Sequence, residues 1–77
     1  MIHEHDHAIL TADLPDEGFQ AGDVGIVVHI YDDHQAYEIE FLALKGRTID
    51  VVTVEAHQVR AVSNRDMLHA RTITASA

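Results

Sequence analysis

Between Ala36 and Phe41 the chain alternates without interruption, with Tyr37, Ile39 and Phe41 on one side and Glu38 and Glu40 on the other. A period of two sets successive side chains on opposite faces of an extended strand; on a helix the same residues would be scattered around the axis. The segment Thr48-Ile49-Asp50-Val51-Val52-Thr53-Val54 is rich in β-branched residues, whose stiff side chains suit a pleated surface. Lys45-Gly46-Arg47 lies between the two and reads as a hairpin tip. An antiparallel hairpin is therefore the element to which the rest of the fold must be fitted.

Three further strands are expected. Ala8, Ile9 and Leu10, within His7 to Thr11, give the first, and Val24 to Ile30 the second. In the second strand Val24, Ile26, Val28 and Ile30 recur at period two and predict one apolar face, while Gly25 predicts a bend or a close backbone approach. Val59-Arg60-Ala61-Val62 gives the last strand, after Glu55-Ala56-His57-Gln58, which is long enough for one helical turn. Asp13-Leu14-Pro15-Asp16-Glu17-Gly18 breaks regular pairing and opens a long acidic first loop; Tyr31-Asp32-Asp33-His34-Gln35 is a second polar break. Five short strands, one long loop and tight later turns predict an all-β barrel that hides its own edges. Ser63-Asn64-Arg65-Asp66 has the spacing of a capping box ahead of Met67 and Leu68, which allows a short helix in the tail. The chain divides into a His- and acid-rich N-terminal segment (residues 1–6), the barrel (7–62) and a tail (63–77).

At 77 residues a single domain with a thin core is expected. Only four residues are Phe or Tyr and none is Trp, so valine, isoleucine, leucine and alanine must fill the interior. The absence of cysteine excludes disulfides, thiolate nucleophiles and thiolate metal sites, and fits a reducing cytoplasm. The N-terminus lacks the basic and apolar regions of a signal peptide, and no run is long enough for a membrane helix, so a cytoplasmic, soluble chain is expected. The net charge of −8 is unevenly placed: residues 1–44 hold ten Asp or Glu and no Lys or Arg, and all five basic residues follow. An acidic front disfavours a phosphate backbone and favours a basic partner or a cation.

The order of these features resembles a family of small uncharacterised bacterial proteins, a domain of unknown function with an SH3-like barrel. The residues that carry the resemblance are Leu10-Thr11-Ala12-Asp13-Leu14-Pro15, the stretch from Gly18 through Gly22-Asp23-Val24-Gly25 to Tyr31, Tyr37-Glu38-Ile39-Glu40-Phe41, Val52-Thr53-Val54 and Val59-Arg60-Ala61-Val62. The resemblance implies a five-stranded SH3-like barrel and a bacterial or archaeal source, with no activity or catalytic residue to carry over. Gly22-Asp23-Val24-Gly25-Ile26-Val27 is also similar to the turn and strand of KOW domains and of nitrile hydratase β subunits, although any tight turn into a bent strand wants glycines there.

Three groups of residues invite chemistry. His3, His5 and His7 alternate, and in an extended segment their imidazoles would share a face suited to zinc, nickel or copper, with Glu4 or Asp6 adding an oxygen. No fourth ligand is fixed by the sequence, so a solvated terminus or adventitious metal binding stands beside a metal site. Asp13, Asp16, Glu17 and Asp23 bracket the first loop and, with Tyr31 and Tyr37, are expected to form a shallow acidic and aromatic groove for a basic or extended peptide. The competing reading is that Leu14 and Phe19 anchor this loop while its acids keep the surface soluble. His29, His34 and His57 lie near carboxylates, but the only serines, Ser63 and Ser76, fall in the tail, and no nucleophile or deep pocket is expected.

The sequence therefore predicts a non-enzymatic, cofactor-free binding module. Its partner is expected to be a basic protein, as accessory or antagonist, with neither nucleic acid nor membrane as partner. The alternatives are a homodimer or larger structural assembly, formed through the tail or an edge strand, and a metal-binding protein acting through the N-terminal histidines.

Overall fold

The structure, a computed structural model, describes residues 2–73. Ser76 lies outside the described residues. Five strands form one antiparallel sheet: β1 (His7–Leu10), β2 (Val24–Ile30), β3 (Ala36–Leu42), β4 (Thr48–Glu55) and β5 (Val59–Ala61), in the order β4-β3-β2-β1-β5. Short 3-10 turns at Asp32–His34 and Ala56–Gln58 carry the chain between β2 and β3 and between β4 and β5.

The hairpin forms where the alternation placed it. Tyr37 faces Val54 and Ile39 faces Val52 across β3 and β4, so two apolar pairs point to the same side. Its tip closes when the Gly46 N–H donates to the Ala43 carbonyl at 2.8 Å and the Ala43 N–H to the Arg47 carbonyl at 2.8 Å. Gly46 takes a φ of 97°, a left-handed conformation that a side chain would strain. The interior gathers Ile39, Val27 and Val54 at its centre, with Tyr37, Phe41, Val52, Leu10, Val59 and Ile2 around them, and among the described residues no polar or charged residue is buried. The first loop joins this core through Leu14 and Phe19, which bond to each other's backbone; the Phe19 ring stacks on Phe41 with centroids 4.1 Å apart.

Several expectations are corrected. The sheet is not closed into a barrel: β4 pairs only with β3 and β5 only with β1, so both ends of the strand order are edges. With three residues, β5 offers too little backbone to close the gap. In β2 the apolar face is inverted up to the bulge that follows Val27, and of the expected face only Ile30 packs against the core. Val27 is fully buried beside a buried Gly25, whereas Val24 and Val28 are 42% and 37% exposed. The close approach of β3 to Gly25 turns the odd positions inward, and a bulge between Val27 and His29, where two steps of β2 pass one step of β3, then returns Ile30, opposite the buried Tyr37, to the core side. An added Cβ at Gly25 would collide with the Ile39 side chain and lie 2.9 Å from the Glu40 carbonyl oxygen, so this glycine marks a close approach, as its position suggested.

The tail holds no helix among its described residues. Its capping signal is spent on one turn: the Asp66 carboxylate accepts from the Ser63 N–H at 2.7 Å and the Asp66 N–H donates back to the Ser63 carbonyl at 3.2 Å. Arg60 grips the same carboxylate with two bonds of 2.7 and 3.0 Å, which ties the turn to β5 and leaves Met67 and Leu68 exposed. Without an apolar face against the sheet, a short helix there has nothing to stabilise it.

Candidate binding site

The first loop is built by its own acids. Asp13 accepts the Ala21 N–H at 2.9 Å, and Asp23 accepts the Gln20 N–H at 2.9 Å, while Gly18 and Gly22 supply φ values of 84° and 96°. Such side-chain caps on turn amides hold a loop in one shape without regular secondary structure. Asp13 is thereby committed to the loop's architecture. Asp16 and Glu17 stand exposed between the paired Leu14 and Phe19, and neither is in a salt bridge among the described residues.

Asp23 has a further partner. Arg71 donates from Nη2 to Asp23 Oδ2 at 2.6 Å and from Nε to Oδ1 at 2.8 Å, with a longer bond of 3.5 Å from Nη2 to the Gly18 carbonyl. Partial burial alone would push the Asp23 carboxyl up, but the Arg71 and Gln20 hydrogen bonds outweigh it and hold the carboxyl below its ordinary range. The hydrogen bonds to Asp23 raise Arg71 above the usual arginine value. Two residues on, Ile73 packs against the core. Beside the pair lies a groove of about 410 Å³ lined by Phe19, Phe41, Leu42, Leu44 and Ile49, with residues 68–73 completing it. Sequence reasoning did not find Arg71 or this groove, because the partners are 48 residues apart and no local pattern announces them.

The two tyrosines do not join the loop. Tyr37 is buried in the core, and neither tyrosine lines the groove. Tyr31 lies on the outer face of the sheet, where its hydroxyl donates to Glu38 Oε2 at 2.9 Å and His29 meets its ring edge-on at 4.5 Å. The hydrogen bond to Glu38 holds the Tyr31 proton and raises its pKa above the ordinary phenol value. Thr53 donates to the other Glu38 oxygen at 3.3 Å and Thr48 to Glu40 at 2.6 Å, so the outer face of β3 is a second acidic surface with its carboxylates fixed by neighbours.

The N-terminal histidines are not arrayed as an extended segment would array them. His5 takes a φ of 73°, the chain turns at Glu4 and His5, and the His3 N–H donates to Asp6 at 2.9 Å. That turn breaks the period of two between His3 and His7, and among the described residues no group of three or more His, Asp or Glu is placed to hold a metal ion. His34 packs edge-on near Tyr37 and His57 stands exposed with its Nδ1 3.9 Å from Glu55. No helix among the described residues is long and apolar enough to cross a membrane.

Residues 4–61 match the family described as Domain of unknown function (DUF4926), and the chain belongs to that family. The match spans all five strands and ends at Ala61, before the tail. No curated protein and no solved structure matches the chain.

Proposed function

We propose that this member of the DUF4926 family is a non-enzymatic binding module that takes a basic segment of another protein on its acidic front. One observation carries the reading: Arg71 is the single arginine or lysine that reaches an acid of residues 1–44 among the described residues, and Asp23 receives it in two hydrogen bonds beside an apolar groove. A loop that binds one guanidinium in this way has the chemistry to bind another. Paired Arg and carboxylate groups give geometric specificity as well as attraction, and the remaining acids, Asp16 and Glu17 among them, steer a cationic segment towards the site. Tyr31 lies with Glu38 on the separate acidic surface of β3 and Tyr37 in the core, so neither belongs to this site.

The test is a titration of the purified chain with a short synthetic peptide alternating Arg and Val, followed by calorimetry, with a peptide alternating Glu and Val as control. The reading predicts binding of the basic peptide alone, weakened by salt and lost when Asp16 and Glu17 are both replaced by lysine. Equal binding of both peptides, or no effect of the double replacement, contradicts it.

A second reading, a structural homo-oligomer, draws on β4. Its eight residues make an edge with one neighbour and an exposed Val51 at its middle, and such an edge can accept another strand. Sedimentation of the wild-type chain against Val51→Lys separates the two: a dimer dissolved by the lysine favours assembly, and a monomer in both cases favours the binding module.

A further inference from the structure

The tail is an unusual occupant of the groove it helps to form. From Val62 to Thr72 every residue is exposed, no strand or helix is present, and the tail's large apolar residues Met67 and Leu68 are 89% and 74% exposed. It is held at three points: the Arg60–Asp66 pair, the Arg71–Asp23 pair and the packing of Ile73. The more exposed Arg60–Asp66 pair contributes little and weakens with salt, and the half-buried Arg71–Asp23 pair is the firmer hold; a few separate contacts without a backbone ladder make this attachment softer than the sheet. The groove also has more room than the tail fills, since about 410 Å³ remains open beside Phe41, Leu42 and Ile49 with the tail in place.

We infer that the groove between the first loop and the β3–β4 hairpin recognises a partner segment carrying an arginine followed two residues later by a large apolar side chain, and that residues 71–73 are its intramolecular competitor. The inference deepens the binding-module reading and rests on it. Asp23 sets the arginine preference: its two oxygens already accept the Nε and Nη2 donors of Arg71, a fork that a lysine does not reproduce. The apolar preference follows from Phe19, Phe41 and Ile49, which present hydrocarbon beside that carboxylate, while Ile73 shows the spacing at which one chain meets both. A segment tethered by a short arm competes at an effective concentration of about millimolar, so the site is masked without being closed. An incoming segment gains by bringing a larger side chain into the open room.

The competitor is unmasked in the full chain by Arg71→Gln, which removes the fork while leaving every strand and its core contacts intact. The probes are a fluorescent peptide with the sequence of residues 67–75, a version with phenylalanine in the place of Ile73, and a version with lysine in the place of Arg71. Expected are weak binding of the first peptide by the wild-type chain, binding about tenfold tighter by Arg71→Gln as the tail vacates the site, tighter binding still of the phenylalanine peptide, and loss of binding by the lysine peptide and by the double variant Asp23→Asn, Arg71→Gln. Equal affinity of wild type and Arg71→Gln overturns the inference, as does undiminished binding of the lysine peptide. If the alternating Arg and Val peptide binds through Asp16 and Glu17 while Arg71→Gln changes nothing, the competitor fails and the acidic module stands; if neither peptide binds any form of the chain, both fail. Amide resonances of residues 68–73 provide a second readout, since their release in Arg71→Gln with the β-strand resonances unmoved separates an emptied groove from an unfolded chain.

Discussion

Asp23 and Arg71 stand 48 residues apart in the chain and meet through hydrogen bonds of 2.6 and 2.8 Å. This contact joins the loop that leads into β2 to a tail that has no regular structure, and it places a buried hydrocarbon surface and a fixed carboxylate side by side. The stability of the fold comes from elsewhere. Fully burying a side chain such as Ile39 or Val27 contributes about 1.5–3 kcal/mol, and the interior holds a dozen buried apolar side chains, against one half-buried ion pair between loop and tail.

The two kinds of site respond differently to truncation. Ile39→Ala removes the largest of the most deeply buried side chains and is expected to cost about 2–5 kcal/mol, a large part of what a chain of this size has available. Val51→Ala, on the exposed face of β4, is expected to stay within about 0.5 kcal/mol of wild type. Urea denaturation followed by circular dichroism measures both.

Gly25→Ala tests the close approach of β2 and β3. The new methyl group meets the Ile39 side chain and a backbone carbonyl that belongs to the ladder and has no freedom to move aside. The expected loss is about 1–3 kcal/mol, in contrast to an ordinary strand position, where alanine in place of glycine is favourable by about 0.5–1 kcal/mol. A neutral or stabilising result by the same denaturation would mean that the strands separate easily.

Acid is expected to free the tail before it unfolds the sheet. The folded Asp66 and Asp23 carboxyls both lie below their ordinary range, Asp66 well below it because of the Arg60 and Ser63 hydrogen bonds. A carboxyl whose folded pKa is depressed gives stability that is complete above its unfolded value, about 3.9, and is lost as the pH falls through the folded value. The tail contacts therefore persist at neutral pH and through mildly acid conditions, and weaken only below about pH 4. Amide NMR across this range should show residues 63–73 changing while β2 and β3 keep their shifts.

Asp66→Asn separates the turn from the ion pair. Asparagine retains an oxygen for the Ser63 N–H but loses the charge that Arg60 grips. Faster amide exchange across residues 63–67 with an unchanged melting temperature is expected; a lowered melting temperature would show that the tail supports the sheet.

The sequence made the strands legible because each carries its pattern locally. The alternation from Tyr37 to Phe41 gives β3 its faces, the β-branched run gives β4, and Leu14 and Phe19 announce themselves as loop anchors by being apolar among acids. The inverted face of β2 was not legible. The composition of that strand favours the side of Val24, Ile26 and Val28, whereas the contacts that turn Gly25 and Val27 inward, the close approach of β3 at Gly25 and the bulge at Val28, are set by β3 and leave no local pattern. Closure was overread, because strand count and order do not reveal that β5 is only three residues long. The site was half legible: the acids of the first loop were visible as charge, but Asp13 and Asp23 cap their own backbone, Tyr37 obeys the core side of the β3 alternation, and Arg71 reaches Asp23 only through the folded arrangement of the tail.

The most direct test of the acidic front is two-dimensional amide NMR of the full chain during titration with the alternating Arg and Val peptide. The account predicts shifts concentrated between Asp13 and Val24 and in residues 68–73, saturating together and suppressed by about 0.5 M salt, where the screening length falls to a few ångströms. Shifts confined to the Lys45–Arg47 tip, or spread evenly over the surface, would contradict it.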